Sequence, residues 1–324
     1  LPVRERWETI TIVGVGLIGG SIGLALKSTG RARRVIGFDR NPAHLELALR
    51  SGAIDQSGRT LETAVKEADL VVIATHVDRI PDLLSRIARS TPAQTLLTDA
   101  GSTKQAIHTH ACLDPILASR FVPAHPIAGS ESKGPAAAQA DLFQNRTCVL
   151  TPLPNTPIPV LQEIHAFWSA LGCRPMEMDP QAHDQALALT SHLPHLIAAM
   201  LALSVPVDHL PLAAGAYRDG TRVALSDTEL WVAVFLQNRE PILAALAQFQ
   251  ERLDRFVAAL KQSDPSMLAN LWNDAKTSRS QYSEPPAIPV LPSQPAMTAR
   301  HSSSTPHTPD SFPALSQSSV IKPS

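Results

Sequence analysis

Four stretches of this 324-residue chain hold the residue types that move protons or grip carboxylates. Thr98-Asp99-Ala100-Gly101-Ser102-Thr103-Lys104 and His125-Pro126-Ile127-Ala128-Gly129-Ser130-Glu131 each follow an apolar run, where an α/β enzyme places its reacting groups. Ser191-His192-Leu193-Pro194-His195 starts a turn of a long helical pattern, and Tyr217-Arg218-Asp219-Gly220-Thr221-Arg222 reads as a polar loop before another. An imidazole titrates near ~6.5 and serves proton transfer at neutral pH. A guanidinium fork binds a carboxylate with two parallel hydrogen bonds. His192 and His195 share a helical face, but no Cys, Asp or Glu nearby completes a ligand set, so no metal is expected.

These groups need a scaffold, and its key is Ile10 to Ser21, ITIVGVGLIGGS. A β-branched run stops at Gly14, and a helical pattern starts at Leu17 and Ile18, the order that gives GxGxxG meaning. Gly14 permits the tight turn, Gly16 keeps a Cβ away from a pyrophosphate, and Gly19 lets the helix lie close to the sheet. The next strand, Arg34 to Phe38, ends in Asp39, about 20 residues past the third glycine, where an acid binds ribose hydroxyls. A dinucleotide site is therefore expected at Gly14, Gly16, Leu17, Ile18, Gly19, Asp39 and Arg40. The Asp39 carboxylate would repel a 2′-phosphate and so selects NAD, while Arg40 leaves NADP as the alternative.

Strand and helix signals alternate up to residue 178, including helices at Pro42 to Arg50 and Ile80 to Arg89 and strands at Ala68 to Ala74, Thr95 to Thr98, Arg120 to Val122, Thr147 to Leu150 and Arg174 to Met178. This predicts an α/β protein with an N-terminal doubly wound Rossmann domain, residues 1–179. Residues 180–277 show helical periodicity alone, with long helices expected over Gln185 to Val205 and Asp227 to Leu260. Both are apolar around most of their circumference, which predicts a homodimer through this all-helical domain. Residues 278–324, rich in Ser and Pro, read as a disordered tail. The apolar run Leu193 to Val207 falls short of the about 20 residues a bilayer needs and reads as a buried helix, so no membrane partner is expected. A net charge of −1 and 4% aromatic content give nucleic acid no footing. Three scattered cysteines and a start without a signal-like apolar core point to the cytoplasm.

GVGLIGGS, DAGSTK, HPIAGSE, SHLPH and YRDGTR followed by SD occur in the order found in the prephenate and arogenate dehydrogenases of tyrosine biosynthesis, which the chain resembles from Thr9 to Lys276. One departure is Ala74-Thr75-His76-Val77, where that family more often has a proline before the valine. The resemblance implies oxidative decarboxylation of prephenate or arogenate with NAD. It makes His125 the base for the ring hydroxyl proton, with simple packing beside Pro126 as the alternative. Ser102 becomes a partner of that hydroxyl or of His125, or else the N-cap of the next helix. Arg222 becomes the substrate-carboxylate residue rather than a solvated surface charge, and His195 faces substrate. Glu131 and Asp219 stand near the mouth of the site or are ordinary loop charges. His192 reads as structural and His183 as a weaker candidate. Two rivals remain. A β-hydroxyacid dehydrogenase of another substrate class would use a second-domain lysine, and Gln181 to Leu210 contains none. A catalytically silent NAD-binding dimer would have lost His125, Ser102 or Arg222.

Overall fold

The computed structural model describes residues 4–283; the tail expected from residue 278 lies, from 284 on, outside the described residues. The first strand, β1 (Trp7–Val13), sends Ile10 and Ile12 into one apolar layer and Val13 into the layer on the opposite face of the sheet. It is followed by α1 (Leu17–Thr29), β2 (Ala32–Phe38), α2 (Pro42–Arg50), β3 (Gln56–Ser57), α3 (Leu61–Val65), β4 (Leu70–Ile73), α4 (Ile80–Ser90), β5 (Leu96–Asp99), α5 (Gln105–Cys112), α6 (Pro115–Ala118) and β6 (Phe121–Val122). These six strands form one parallel sheet in the order β3-β2-β1-β4-β5-β6. Strand β4, LVVI, is buried along its whole length, as a central parallel strand covered on both faces must be. The chain runs outward in one direction from β1 to β3 and in the other from β4 to β6, which opens a crevice at the carboxyl ends of β1 and β4.

The alternation expected to continue in one sheet stops at β6. The next strand, β7 (Ala124–Pro126), pairs antiparallel with β8 (Thr147–Leu150), and β8 pairs parallel with β9 (Arg174–Glu177), making a separate three-stranded sheet. Pro123 has no N–H to continue the ladder, and its carbonyl accepts from Thr151 N at 3.0 Å instead. His125 accordingly sits within a strand, not in a loop after one. The helix α7 (Ile158–Ala170) carries Phe167 and Trp168 into the core against the parallel sheet.

Helices make up the rest: α8 (Pro180–Leu187), α9 (Leu193–Leu203), α10 (Gly215–Thr221), α11 (Thr228–Gln237), α12 (Arg239–Lys261) and α13 (Pro265–Ser280). The first two form a continuous 24-residue helical stretch with one wide turn at Ala188–His192. Pro194 cannot donate to the carbonyl four residues back, which loosens that turn. The single helix expected over Asp227 to Leu260 is two, broken at Asn238, where the backbone leaves helical geometry (φ −113°, ψ 29°). Pro241, in the first turn of α12, again removes a donor. The expected loop before Arg222 is helix α10, whose Gly220 lies against α9; a Cβ there would stand 3.5 Å from Leu201 Cδ2.

The run Leu193 to Val207 is not a buried helix within one chain, and its uncovered face leaves room for the partner subunit that its apolar circumference predicts. Only 17% of the most apolar window of the 24-residue stretch is covered, and among the described residues that stretch alone is long and apolar enough to cross a membrane. Leu203, Val207, Leu212 and Leu225 are all more than three-quarters exposed. A face of this size calls for a partner surface.

Candidate active site

The crevice at the carboxyl end of β1 is built for close approach. Gly14 adopts φ 93°, and a Cβ there would lie 2.6 Å from the Ala74 carbonyl oxygen at the end of β4. A Cβ on Gly19 would fall 1.9 Å from the Gly14 carbonyl oxygen, so only glycine lets α1 meet the turn. At Gly16 a Cβ would face open space. No side chain caps α1, whose first residues Leu17 and Ile18 are half-buried and whose first N–H groups are left for another acceptor. Asp39 leaves β2 beside this turn. Its Oδ2 accepts from Val15 N at 3.0 Å and its Oδ1 from Asn41 N at 2.8 Å, which locks the carboxylate against the glycine loop. Arg40 is exposed. An open cradle with a fixed acid at its rim fits a dinucleotide's pyrophosphate and ribose.

Farther along the same sheet edge, Asp99 ends β5 fully buried. It accepts from Lys104 Nζ at 2.5 Å, from Ala124 N at 3.0 Å and from Gly101 N at 2.8 Å. Lys104 Nζ also donates to the Ala124 carbonyl at 2.7 Å. One buried ion pair thus clamps the DAGSTK segment onto β7, the strand that carries His125. The His125 ring is 9% exposed, and its Nδ1 lies 2.9 Å from His183 Nε2 on α8. His183 Nδ1 lies 2.8 Å from Asp184 Oδ1. Burial first, then the neighbouring His183, Lys104 and His192, hold the His125 imidazole well below its ordinary pKa, so it is neutral at physiological pH.

Asp184 decides a further point. Its Oδ1 accepts from Lys104 N at 2.8 Å and its Oδ2 from Gln105 N at 2.9 Å, so the cap of α5 comes from the helical domain and not from Ser102. The half-buried Ser102 hydroxyl has no hydrogen-bond partner among the described residues and is not joined to His125. His183 and Asp184 are the residues that the sequence reading undervalued. Adjacent His and Asp in a first helical turn, behind the Asp179 cap that accepts from Gln181 N and Ala182 N, were the available signal.

In the helical domain, His195 stacks on Trp231 with ring centroids 3.8 Å apart and planes inclined by 26°. Its Nδ1 donates to the Ser191 carbonyl at 2.8 Å, which leaves the Nε2 lone pair outward in the neutral ring. Burial lowers its pKa, the Ser191 bond opposes that, and the positive charge of Arg222 lowers it further. His192 accepts from Asn238 Nδ2 at 2.9 Å, and Asn238 Nδ2 also reaches the Asp184 carbonyl at 2.8 Å. Burial pushes the His192 pKa to about 4. Both histidines are bonded through Nδ1, and among the described residues no group of three or more His, Cys, Asp or Glu could hold a metal ion.

Arg222, on the turn after α10, pairs with Glu131 at 2.5 Å, and Lys133 pairs with Asp227 at 3.2 Å; the bonds join the end of the HPIAGSE segment and the loop just after it to the helical domain. Glu131, the partner of Arg222, thus lies in the same HPIAGSE segment as His125. Asp219 is not brought to them. Its hydrogen bond is to its neighbour Arg218 at 3.1 Å, and both side chains are largely exposed. Asp227 accepts from Leu230 N at 3.0 Å and is the cap of α11.

Comparison with known proteins matches residues 22–177 to the family model described as prephenate dehydrogenase, nucleotide-binding domain, and residues 179–273 to prephenate dehydrogenase, dimerization domain. Prephenate dehydrogenase of Bacillus subtilis (strain 168) is 36% identical over 286 residues, covering 86% of this chain and 76% of that protein. Cyclohexadienyl dehydrogenase of Zymomonas mobilis is 32% identical over 280 residues, covering 84% and 95%. The crystal structure of prephenate dehydrogenase from A. aeolicus in complex with hydroxyphenyl propionate and NAD+ superposes with a TM-score of 0.77 at 28% identity, covering 84% of this chain and 97% of that one.

Proposed function

The chain belongs to the prephenate dehydrogenase family and is an NAD-dependent oxidoreductase of tyrosine biosynthesis, and we propose that His125 takes the substrate's hydroxyl proton while Arg222 holds a substrate carboxylate. The substrate class is a cyclohexadienyl acid, prephenate or arogenate, which is oxidised at C4 and decarboxylated at C1. Gly14, Gly16, Leu17, Ile18 and Gly19 would hold the pyrophosphate of NAD and Asp39 its ribose, with Arg40 at the rim. Bound there, NAD supplies the acceptor for the C4 hydride. A homodimer through the helical domain is consistent with the match to a dimerization domain and with the exposed apolar face of α9. A cytoplasmic enzyme with no membrane or nucleic-acid partner completes the proposal.

The observation that supports the reading is a buried, neutral imidazole in the segment whose Glu131 pairs with the exposed Arg222 guanidinium. A neutral base near the reacting hydroxyl contributes about 10²–10⁴-fold. Loss of the ring carboxylate makes the ring aromatic and leaves a phenol, so the overall reaction releases no proton. The base lends a site and then returns the proton. In the resting cleft Glu131 occupies Arg222. A substrate carboxylate would replace it there, and the ammonium of arogenate would find Glu131 in turn. His195 and Ser102 offer hydrogen-bonding groups not spent on the protein at Nε2 and Oγ.

The test is turnover of prephenate and of arogenate with NAD and NADP, followed by NAD(P)H formation and CO2 release. His125→Asn abolishes turnover and leaves NAD affinity largely intact. A variant with unchanged kcat would remove the base from this scheme.

A further inference from the structure

We infer that His183 and Asp184 are positioning residues that hold His125 in the tautomer with its lone pair on Nε2, facing the proton it must accept; this rests on His125 being the base. The chain of bonds can be followed from its closed end. Both Asp184 oxygens already accept a backbone N–H, from Lys104 and Gln105. A carboxylate only accepts, so the 2.8 Å bond from His183 puts a proton on His183 Nδ1. A neutral imidazole carries one N–H, and His183 Nε2 is then a lone pair. The 2.9 Å contact between that nitrogen and His125 Nδ1 is filled by a proton on His125 Nδ1. His125 Nε2 is left as the acceptor. The opposite tautomer of His183 would set a lone pair against a carboxylate oxygen at 2.8 Å. His183 is fully buried and Asp184 is 2% exposed, so solvent does not scramble the order.

The same line steadies the charge that catalysis creates. When the substrate's O–H bond breaks, its electron pair stays on oxygen and an N–H bond forms at His125 Nε2. The resulting imidazolium donates through Nδ1–H to His183, whose own Nδ1–H is polarised by Asp184. Lys104 and His192 also face this imidazole, and both oppose its positive charge. Lys104 is itself paired with Asp99. When the ring becomes aromatic the proton returns from Nε2 to the phenolate oxygen, and every atom on the line is as it began.

Two measurements on the full-length enzyme test this. In protein labelled with 15N-histidine, with His125 assigned by its loss in His125→Asn, Nδ1 shows the shift of a protonated nitrogen and Nε2 that of a lone-pair nitrogen. The reverse pattern in the native enzyme overturns the inference without any variant having to fold. His183→Phe lowers kcat roughly 10²–10⁴-fold with little change in either KM and alters the acid limb of the pH profile. His183→Gln, whose Oε1 still accepts from Nδ1, recovers part of the loss. If His183→Phe keeps its native kcat and pH profile while His125→Asn is inactive, the positioning role is wrong and the base is right. Wild-type turnover in His125→Asn removes both.

Discussion

The buried bonds behind His125 and the ion pairs of the helical domain are built on opposite terms. On the base side, Asp99, Lys104, His183 and Asp184 are buried, and each carboxylate oxygen and each imidazole nitrogen on the line from Asp184 to His125 Nδ1 has a partner. By contrast, Arg222–Glu131, Lys133–Asp227 and, apart from them, Arg218–Asp219 are ion pairs with at least one largely solvated partner. Removing one member of a buried charge pair costs about 3–5 kcal/mol, because the other is stranded. An exposed pair is worth about 0–1 kcal/mol. Under the proposed roles the contrast separates tasks: the base is held before substrate arrives, and Arg222 exchanges Glu131 for a charged substrate.

The sharpest way to break this contrast is Lys104→Met, which leaves Asp99 buried without its cation. A loss of about 3–5 kcal/mol in urea unfolding is expected. A loss below 1 kcal/mol would put this pair on the same footing as the exposed ones.

Acid comes next in size. His125 and His192 are held neutral by burial, with His192 at about 4 against an ordinary 6.5. Below pH 6.5 the unfolded chain binds protons that the folded one refuses. Stability is therefore full above 6.5 and falls as pH drops toward 4. The lowered His125 pKa likewise keeps kcat/KM high to well below pH 6.5 before its acid limb begins. Flat stability between pH 7 and pH 4 would show that neither ring is as enclosed as its surroundings imply.

The exposed pairs supply the smaller effects. Arg222→Ala raises the substrate KM about 10–100-fold, as expected for a charge-assisted bond worth ~1.5–3 kcal/mol, and changes stability by less than about 1 kcal/mol. Asp219→Asn leaves stability within about 0.5 kcal/mol and kinetics close to native, since Asp219 pairs with its own neighbour. A KM effect at Asp219 equal to that at Arg222 would redraw this contrast.

Much of the fold follows from local pattern. The β-branched run before Gly14, the Asn41 cap and Pro42 at the start of α2, and the unbroken LVVI of β4 each name their element without help from distant residues. The glycine loop and Asp39 are equally local, because each glycine answers a steric demand of its own turn. Which sheet a strand joins is not local. Thr147–Leu150 reads as a strand, yet its pairing with β7 depends on the chain leaving the parallel ladder at Pro123. The break at Asn238 is similarly set by bonds to His192 and to the Asp184 carbonyl, far away in sequence.

The sequence by itself determined the dinucleotide crevice, the succession of strands and helices, and the residue types able to act as base and anion clamp. Such features depend on backbone sterics and periodicity within a dozen residues. Only the tertiary structure decided that Asp184 caps α5, that His183 stands behind His125, and that Arg222 rests on Glu131. Those are contacts between segments up to 91 residues apart. Burial turns the first two from weak polar encounters into bonds that hold the His125 ring, and burial is a property of the folded whole.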